Sequence, residues 1–387
     1  MNFTIKTSEL KKAMKLSKAI AASDVSVSAY SNVVSFCFCD KDIMLKTEHP
    51  CDVILPGDGV VPLAILNASK GFDGSDVLVS SADGFNVVQC GSFKASDVAN
   101  NPASCERDVS AAAVEFEMMK SAFVGTAALT RAVSVALLAA GSKELNPMKN
   151  GVLFDVRNNN ELNVVGLCED KLAADACLFP SIEDCASVIP LSAAKTLLAV
   201  LKICPDTEIK FGVSSDLVGC VFSGVELYIR PVKVGKIPEV RALDFDDVVA
   251  RVDVEASRLS SSLKLLKASK CNPVDIHFDG IRLLTLSSFS NKCLQQISVH
   301  LDGELTGKQC FISACVNDLL SLFKPLKMLS SLSVSFYGNA KDRAELLAVR
   351  PGNNSLFPVL FLKDALPEPK DALPDPEKEK SVSSQEQ

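Results

Sequence analysis

Three histidines, fourteen cysteines and a few clustered carboxylates are the side chains of this 387-residue sequence most able to do chemistry. His49, His277 and His300 lie far apart, with no Glu-x-x-His pair and no metal-ligand spacing. His49 and Cys51 could share a metal, but two ligands are too few to hold one. Asp244, Asp246 and Asp247 follow a proline-containing segment; they read as a linker between units, with a metal cluster as the alternative. Gly57-Asp-Gly59 is a lone G-x-G, and neither a phosphate-binding G-x-x-x-x-G-K-[ST] loop nor a G-x-S-x-G elbow is present. Catalysis requires a constellation of groups in defined roles. None is visible, so the sequence reads as a non-enzyme without metal or cofactor.

The cysteines give a second expectation. Their even number would allow a disulfide framework, but 14 in 387 residues is sparse and no Cys-x-x-Cys occurs. The opening MNFTIKTSEL is polar and alternating, unlike a secretory leader. The cysteines therefore read as small buried hydrophobes in a reducing cytoplasm. No apolar run approaches the roughly 20 residues needed to cross a bilayer.

The elements that must position any site repeat in order. Phe3 and Ile5 alternate with polar neighbours as in a half-buried strand, and Thr7 and Ser8 are candidate caps for a helix carrying Leu10, Met14 and Ser17 on one face. Strands are expected at 33–38, 43–47 and 52–55, then a proline-started helix at 62–70 and strands at 76–80 and 85–90. A second round expects a strand at 114–117, a helix at 119–139, strands at 151–156, 162–168 and 171–177, a helix at 190–202, and strands at 208–213, 217–222 and 225–231. The third expects a strand at 251–254, helices at 256–267 and 313–326, and strands at 274–278, 282–288, 294–301, 331–337, 344–349 and 357–362. Six strand–helix–strands half-units of this kind make an α+β array of three similar domains. After Leu362 the tandem KDALPEP and KDALPDP repeats and a polar end read as a disordered tail over 364–387, with a peptide bait built on Leu366 and Leu373 as the alternative.

Charge is sorted by element. The formal net charge is −7, yet the six expected helices together carry +11, which leaves −18 for everything else. A uniformly basic coat is excluded, but cationic helices on an acidic body could hold a polyanion through sequence-blind phosphate contacts. In the first helix Lys11, Lys12 and Lys15 lie opposite the Leu10/Met14/Ser17 stripe, with Lys18 at its flank. In the helix at 256–267, Lys264 lies opposite Leu259, Leu263 and Leu266, with Arg258 and Lys267 at the edges.

On MNFTIKTSELKKAMKLSKAI, NGVLFDVR (150–157), ELNVVGLCEDKLAADA (161–176), VGKIPEVR (234–241) and FPVLFLKD (357–364), the chain resembles bacterial sliding clamps, the beta subunit of DNA polymerase III. The resemblance covers nearly all of 1–363 in domain order. It implies three clamp domains, 1–115, 116–245 and 246–363, with helices lining a ring and sheets outside. It further implies a cytoplasmic homodimer encircling double-stranded DNA and tethering the replicative polymerase, loaded by a clamp loader. The DNA-facing set would be Lys11, Lys12, Lys15, Lys70, Lys120, Arg131, Lys195, Lys202, Lys264, Lys267 and Lys324. A hydrophobic pocket for partner peptides would use Leu167, Lys171, Leu172, Pro238, Leu243, Leu346, Val359, Leu360, Phe361 and Leu362. Three departures mark a divergent member: Cys168-Glu-Asp-Lys-Leu172 replaces the usual Asp-Gly-His-Arg-Leu, Leu360-Phe361-Leu362 replaces Met-Pro-Met, and Asp24 stands where a basic residue is common. The alternative function is a scaffold of the same fold that binds proteins without productive loading on DNA.

Overall fold

The computed structural model describes residues 1–363 except 19, 21, 70, 72–75, 83, 99–104, 142–149, 158–159, 169, 181–183, 235–247, 269–272, 282, 290–293, 301–305, 324–325, 327–329, 339–343 and 353–358. Lys70, Lys324, Pro238, Leu243, the Asp244/Asp246/Asp247 cluster and the tail 364–387 lie outside the described residues.

The chain divides into two compact units, Met1–Asp244 and Phe245–Gln387. In the first, one motif of strand, helix and three strands recurs. It appears as β1 Asn2–Lys6, α1 Thr7–Ser17, β2 Asp24–Tyr30, β3 Val33–Cys39 and β4 Ile43–Pro50, followed by the short β5 Asp52–Leu55. The second copy is β6 Gly57–Pro62, α2 Leu63–Ser69, β7 Asp76–Ala82, β8 Phe85–Cys90 and β9 Phe93–Val98; the helix α3 Cys105–Met118 follows. The third is β10 Ser121–Gly125, α4 Thr126–Ala136, β11 Gly151–Arg157, β12 Glu161–Leu167 and β13 Lys171–Leu178. The fourth is β14 Cys185–Pro190, α5 Leu191–Leu201, β15 Glu208–Val213, β16 Val218–Phe222 and β17 Val225–Ile229. The second unit holds β18 Val248–Glu255, α6 Ala256–Ala268, β19 Val274–Phe278, β20 Leu283–Phe289 and β21 Leu294–His300, then β22 Thr306–Gly307, β23 Cys310–Ala314, α7 Val316–Phe323, β24 Ser331–Tyr337, β25 Leu346–Pro351 and β26 Val359–Lys363.

Within the first unit the strands run in the orders β5-β1-β7-β8-β9, β10-β15-β16-β17-β4-β3-β2-β6 and β14-β11-β12-β13. Within the second they run β26-β25-β24-β18-β22 and β21-β20-β19-β23. This is an α+β architecture. The eight-stranded sheet joins two copies of the motif through β4 and β17, whose register runs from Ile43↔Ile229 to Thr47↔Val225.

Side-chain alternation explains why that sheet is buried on two sides. On β3, Val34, Phe36 and Phe38 enter the main core, which they share with Leu10 and Met14 of α1 and Leu197 of α5. Cys37 faces the other way and packs with Met44, Leu217 and Tyr228 under Val109, Ala112 and Phe116 of α3. Strands covered on both faces read as near-continuous apolar runs, and Val33–Cys39 is one.

Three expectations need correction. Residues 114–117 are helical, being part of α3, whose buried Val109, Ala112 and Phe116 recur at helical spacing. The four residues from Val114 to Glu117 are too few to show that period. The expected helix at 119–139 begins at Thr126, because Ser121–Gly125 pairs with β15 as a strand. The helix expected from Ser313 begins at Val316, since Ser313 belongs to β23. The reading of the cysteines also changes: Cys39 and Cys105 form a disulfide, while Cys37, Cys51, Cys177, Cys220 and Cys310 are free and buried.

Helix α4 crosses β12 so closely that a Cβ placed on Gly166 would lie 1.7 Å from the Ala136 carbonyl oxygen. Neither backbone can yield without losing its own hydrogen bonds. We expect Gly166→Ala to lower unfolding stability by about 1–3 kcal/mol, the range for overpacking a tight contact. Chemical denaturation checks it, and an unchanged midpoint would mean that α4 can lift freely.

Candidate nucleic-acid interface

Helix α1 starts at Thr7, so the N-cap position falls on Lys6, whose side chain makes no capping hydrogen bond, and the expected caps Thr7 and Ser8 stand inside the first turn. Glu9 in the first turn and Lys15 in the last suit the helix dipole. Leu10, Ala13, Met14, Leu16 and Ser17 are buried, whereas Lys11, Lys12, Lys15 and Lys18 are exposed. The helix thus meets the sheet with one face and shows lysines on the other.

Helix α1 is held to β4 by a polar contact. Glu9 pairs with Lys12 at 2.7 Å and with His49 Nδ1 at 3.3 Å. His49 is 8% exposed and tilts against Phe36. Burial pushes its pKa below the usual 6.5, against the pull of Glu9. Burial raises Glu9, but the hydrogen bonds from Lys12 and His49 outweigh it and hold the carboxyl below its usual 4.5.

In the first unit α1 packs against α2 and α5, and α5 packs against α4, so four helices form a row. Helix α5 follows Pro190, which suits a helix start. It buries Ala193, Ala194, Leu197, Val200 and Leu201, leaving Lys195 exposed and Lys202 exposed at its C-cap. On α4 the single cation is Arg131, and it is engaged. Its Nε donates to Asp175 at 2.7 Å and its Nη2 donates to the same carboxylate at 3.2 Å and to the Ala176 carbonyl. Asp175 is fully buried; burial raises its pKa against the pull of Arg131. A bidentate pair of this kind fixes α4 on β13. Arg131 is therefore a structural cation first. Lys120 is exposed but lies between α3 and β10 and not on a helix.

In the second unit α6 buries Leu259, Ser262, Leu263 and Leu266 and exposes Arg258, Lys264 and Lys267. Arg258 pairs with Glu255 at 2.8 Å. Helix α6 packs against α7, which carries no Lys or Arg over Val316–Phe323. Arg258 and Lys18 stand on the same exposed faces as the chosen lysines. Both lie outside the expected set, although Lys267, at the edge of the same helix as Arg258, is within it.

The expected peptide-pocket residues fall into two groups. Leu167, Lys171 and Leu172 sit together at the β12–β13 turn, part-exposed, with Leu167 opposite Leu172 and Cys168 N–H donating to the Lys171 carbonyl at 2.9 Å. Leu346 on β25 is part-exposed, and Val359, Leu360 and Leu362 of β26 are buried, with Leu347↔Leu362, Ala348↔Phe361 and Val349↔Leu360 in register.

Among the described residues no group of three or more His, Cys, Asp or Glu could hold a metal ion, and no helix is long and apolar enough to cross a membrane.

No protein-family profile matches the sequence, and no curated protein does. Solved structures do. The DNA polymerase sliding clamp from Bacillus subtilis superposes with a TM-score of 0.79 at 17% identity, covering 95% of this chain and 100% of its own. The DNA polymerase III beta subunit from Thermotoga maritima gives 0.78 at 17% identity, with 95% and 100% covered. The sliding clamp from Pseudomonas aeruginosa gives 0.78 at 15% identity, again with 95% and 100% covered.

The pH dependence of stability follows from His49. Its folded pKa is depressed, so its contribution is fully present above pH 6.5 and is lost as pH falls through the folded value. Glu9, also depressed, adds a loss below its ordinary 4.5. Between these two limits the melting temperature should fall on acidification, and His49→Gln should flatten that fall. A variant with the parent's slope would place the acid sensitivity elsewhere.

The conserved geometry over nearly the full length of both partners, carried by a sequence this different, identifies the architecture: the chain has the fold of the bacterial DNA sliding clamp, in a divergent sequence.

Proposed function

We propose that the protein is a DNA polymerase processivity factor, a ring-shaped sliding clamp that encircles duplex DNA. The observation that carries this reading is the two-faced helix: α1, α5 and α6 bury one side on their sheets and turn Lys11, Lys12, Lys15, Lys195, Lys202, Lys264 and Lys267 to solvent. The net charge of −7 leaves the rest of the chain acidic. Closure of a ring makes retention topological, so contacts to phosphate can be weak and sequence-blind while sliding continues. Such a device needs no catalytic group, and the reading is of a non-enzyme in the cytoplasm.

In this reading residues 1–115, 116–245 and 246–363 are three domains of two half-units each, and two chains supply six. Edge strands support the closure. In the sheet orders β9 and β21 each have a single neighbour, β8 and β20. An unpaired edge is a template for another chain, and Val98 at the end of β9 is 61% exposed. Pairing of β9 with the β21 of a second copy, repeated head to tail, would satisfy both edges. The polymerase and the clamp loader would be held through short peptides at a pocket built from Leu167, Lys171, Leu172, Pro238, Leu243, Leu346, Val359, Leu360, Phe361 and Leu362. Its apolar groups suit the Leu or Phe anchors of such peptides.

A scaffold of the same fold that is never productively loaded is the second reading. It is favoured by Arg131 being spent on Asp175, by α7 lacking cations over its described length, and by exposed Asp24 at the start of the second strand. Retention on circular DNA in the presence of a loader separates the two.

Reversing Lys11, Lys12 and Lys15 to Glu should cut polymerase stimulation at least tenfold. Stability should change by no more than about 1 kcal/mol, since the three side chains are exposed and charges at the surface contribute little. Unchanged stimulation would remove α1 from the DNA-facing set. In solution the protein should have about twice the 41.3 kDa chain mass, and Val98→Asp should lower it. A parent protein of single-chain mass at micromolar concentration would overturn the dimeric ring.

A further inference from the structure

Helix α3 is the element that the repeating motif does not account for, and it is fastened in a specific way. It crosses the face of the eight-stranded sheet opposite the main core, in contact with β3, β4 and β17. Its 14 residues span about 21 Å. That matches roughly four strand spacings, the distance from β3 across β4, β17 and β16 to β15. Cys105 at its first turn is bonded to Cys39 of β3, with the two Cα atoms 5.5 Å apart. Ser28 of β2 donates to Glu106 at 3.1 Å.

The other end is held by different chemistry. Phe116 fits a slot floored by Gly212 and Gly219, which are opposite each other in the β15–β16 register. A Cβ on Gly219 would lie 2.5 Å from the Phe116 ring, and one on Gly212 would lie 3.0 Å from it. Tyr228 tilts against the ring at 5.6 Å between centroids, and the Lys210 ammonium stands 5.3 Å from the ring centre. Lys210 also binds Glu117 at 2.8 Å, and Arg230 binds Glu115 at 2.6 Å. The C-terminal end would stay seated without any covalent bond, whereas the N-terminal end leans on one disulfide and an exposed hydrogen bond.

We infer that the Cys39–Cys105 bond is a redox-operated latch that closes the N-terminal half of α3 over the outer face of the sheet. The closing step is thiol–disulfide exchange with a low-molecular-weight disulfide of the glutathione type. One protein thiolate attacks the small disulfide and releases one small thiolate. The second protein thiolate then displaces the other, forming the Sγ–Sγ bond; the two small thiolates take up the two protons given up by Cys39 and Cys105. Reduced glutathione reverses the sequence. In the open state Val109 and Ala112 lift from Cys37 and Met44, while Phe116 remains in its slot. The inference is independent of whether the ring encircles DNA.

Cys37 reports on the latch, because it is 4% exposed and lies under α3, two residues from Cys39 on the same face of β3. Cys220 is the control, since it is 1% exposed and belongs to the main core on the opposite face. The full chain is equilibrated with either oxidised or reduced glutathione, freed of it, and pulsed with iodoacetamide; labelling is read at each cysteine by peptide mass. In the oxidised protein Cys39 and Cys105 should be linked to each other and Cys37 should be protected. In the reduced protein, and in Cys105→Ser under either condition, Cys37 should label at least tenfold faster with Cys220 unchanged. Phe116→Ala in the reduced protein should accelerate Cys37 further. Cys39 and Cys105 that still label fully after oxidation, or a Cys37 equally protected in both states, would overturn the latch. Equal acceleration at Cys220 would do so too, because it signals global unfolding.

Discussion

The pairing of β4 with β17 is the joint on which the first unit depends. Five residue pairs, Ile43↔Ile229 to Thr47↔Val225, turn two four-stranded sheets from distant parts of the sequence into one of eight. Side contacts reinforce the seam: Lys46 reaches Glu226 at 3.1 Å and Glu48 at 2.8 Å, the Glu48 N–H donates to the Gly224 carbonyl, and the Arg230 N–H donates to the Asp42 carbonyl. Burial lowers the pKa of Lys46, but its two carboxylate partners more than offset this and keep it charged. The cores of the two copies merge beneath the continuous sheet, and α1 packs against α5, so that the exposed lysines of both stand on neighbouring helices. On the other face the seam would be bare without α3, whose N-terminal end is tied to β2 and β3 and whose C-terminal end is tied to β15 and the residue after β17.

The helices are short, 7 to 14 residues, and isolated helices of that length are marginal in water. Their stability comes from packing one face on a sheet, and this leaves little freedom for where charge can go. A lysine on such a helix must point outward, and the acidic residues of the strands and loops must do so elsewhere. The lysine faces of α1, α5 and α6 are thus a consequence of architecture, with only the sign left to be set. Helix α3, with Glu106, Asp108, Glu115 and Glu117 against Arg107, and α7, with Asp318 alone, carry the opposite sign.

Most of this was legible in the sequence where the period was strong. Leu10, Met14 and Ser17 against Lys11, Lys12 and Lys15 in α1, and Leu259, Leu263 and Leu266 against Lys264 in α6, were placed on the faces that burial gives them. The hairpin carrying Leu167 and Leu172 was bounded within a residue. What was not legible had no local signal. Arg131 looked like another outward cation, because its partner Asp175 is 44 residues away and announces nothing in a helical window. Helix α3 was missed because its buried residues cover a sheet face that the repeating motif normally leaves open. The disulfide was missed for the same reason: Cys39 and Cys105 are 66 residues apart, and spacing alone cannot pair them.

The facing glycines Gly212 and Gly219 tie the sheet to that helix. A strand interior ordinarily disfavours glycine, which contributes no side chain and costs backbone entropy. Two of them directly opposite each other form a bare strip that makes sense beneath an aromatic ring and is a liability without one. Among relatives, the glycine pair and the aromatic residue should therefore be gained and lost together, and a chain that dispensed with the extra helix would refill the strip with β-branched residues.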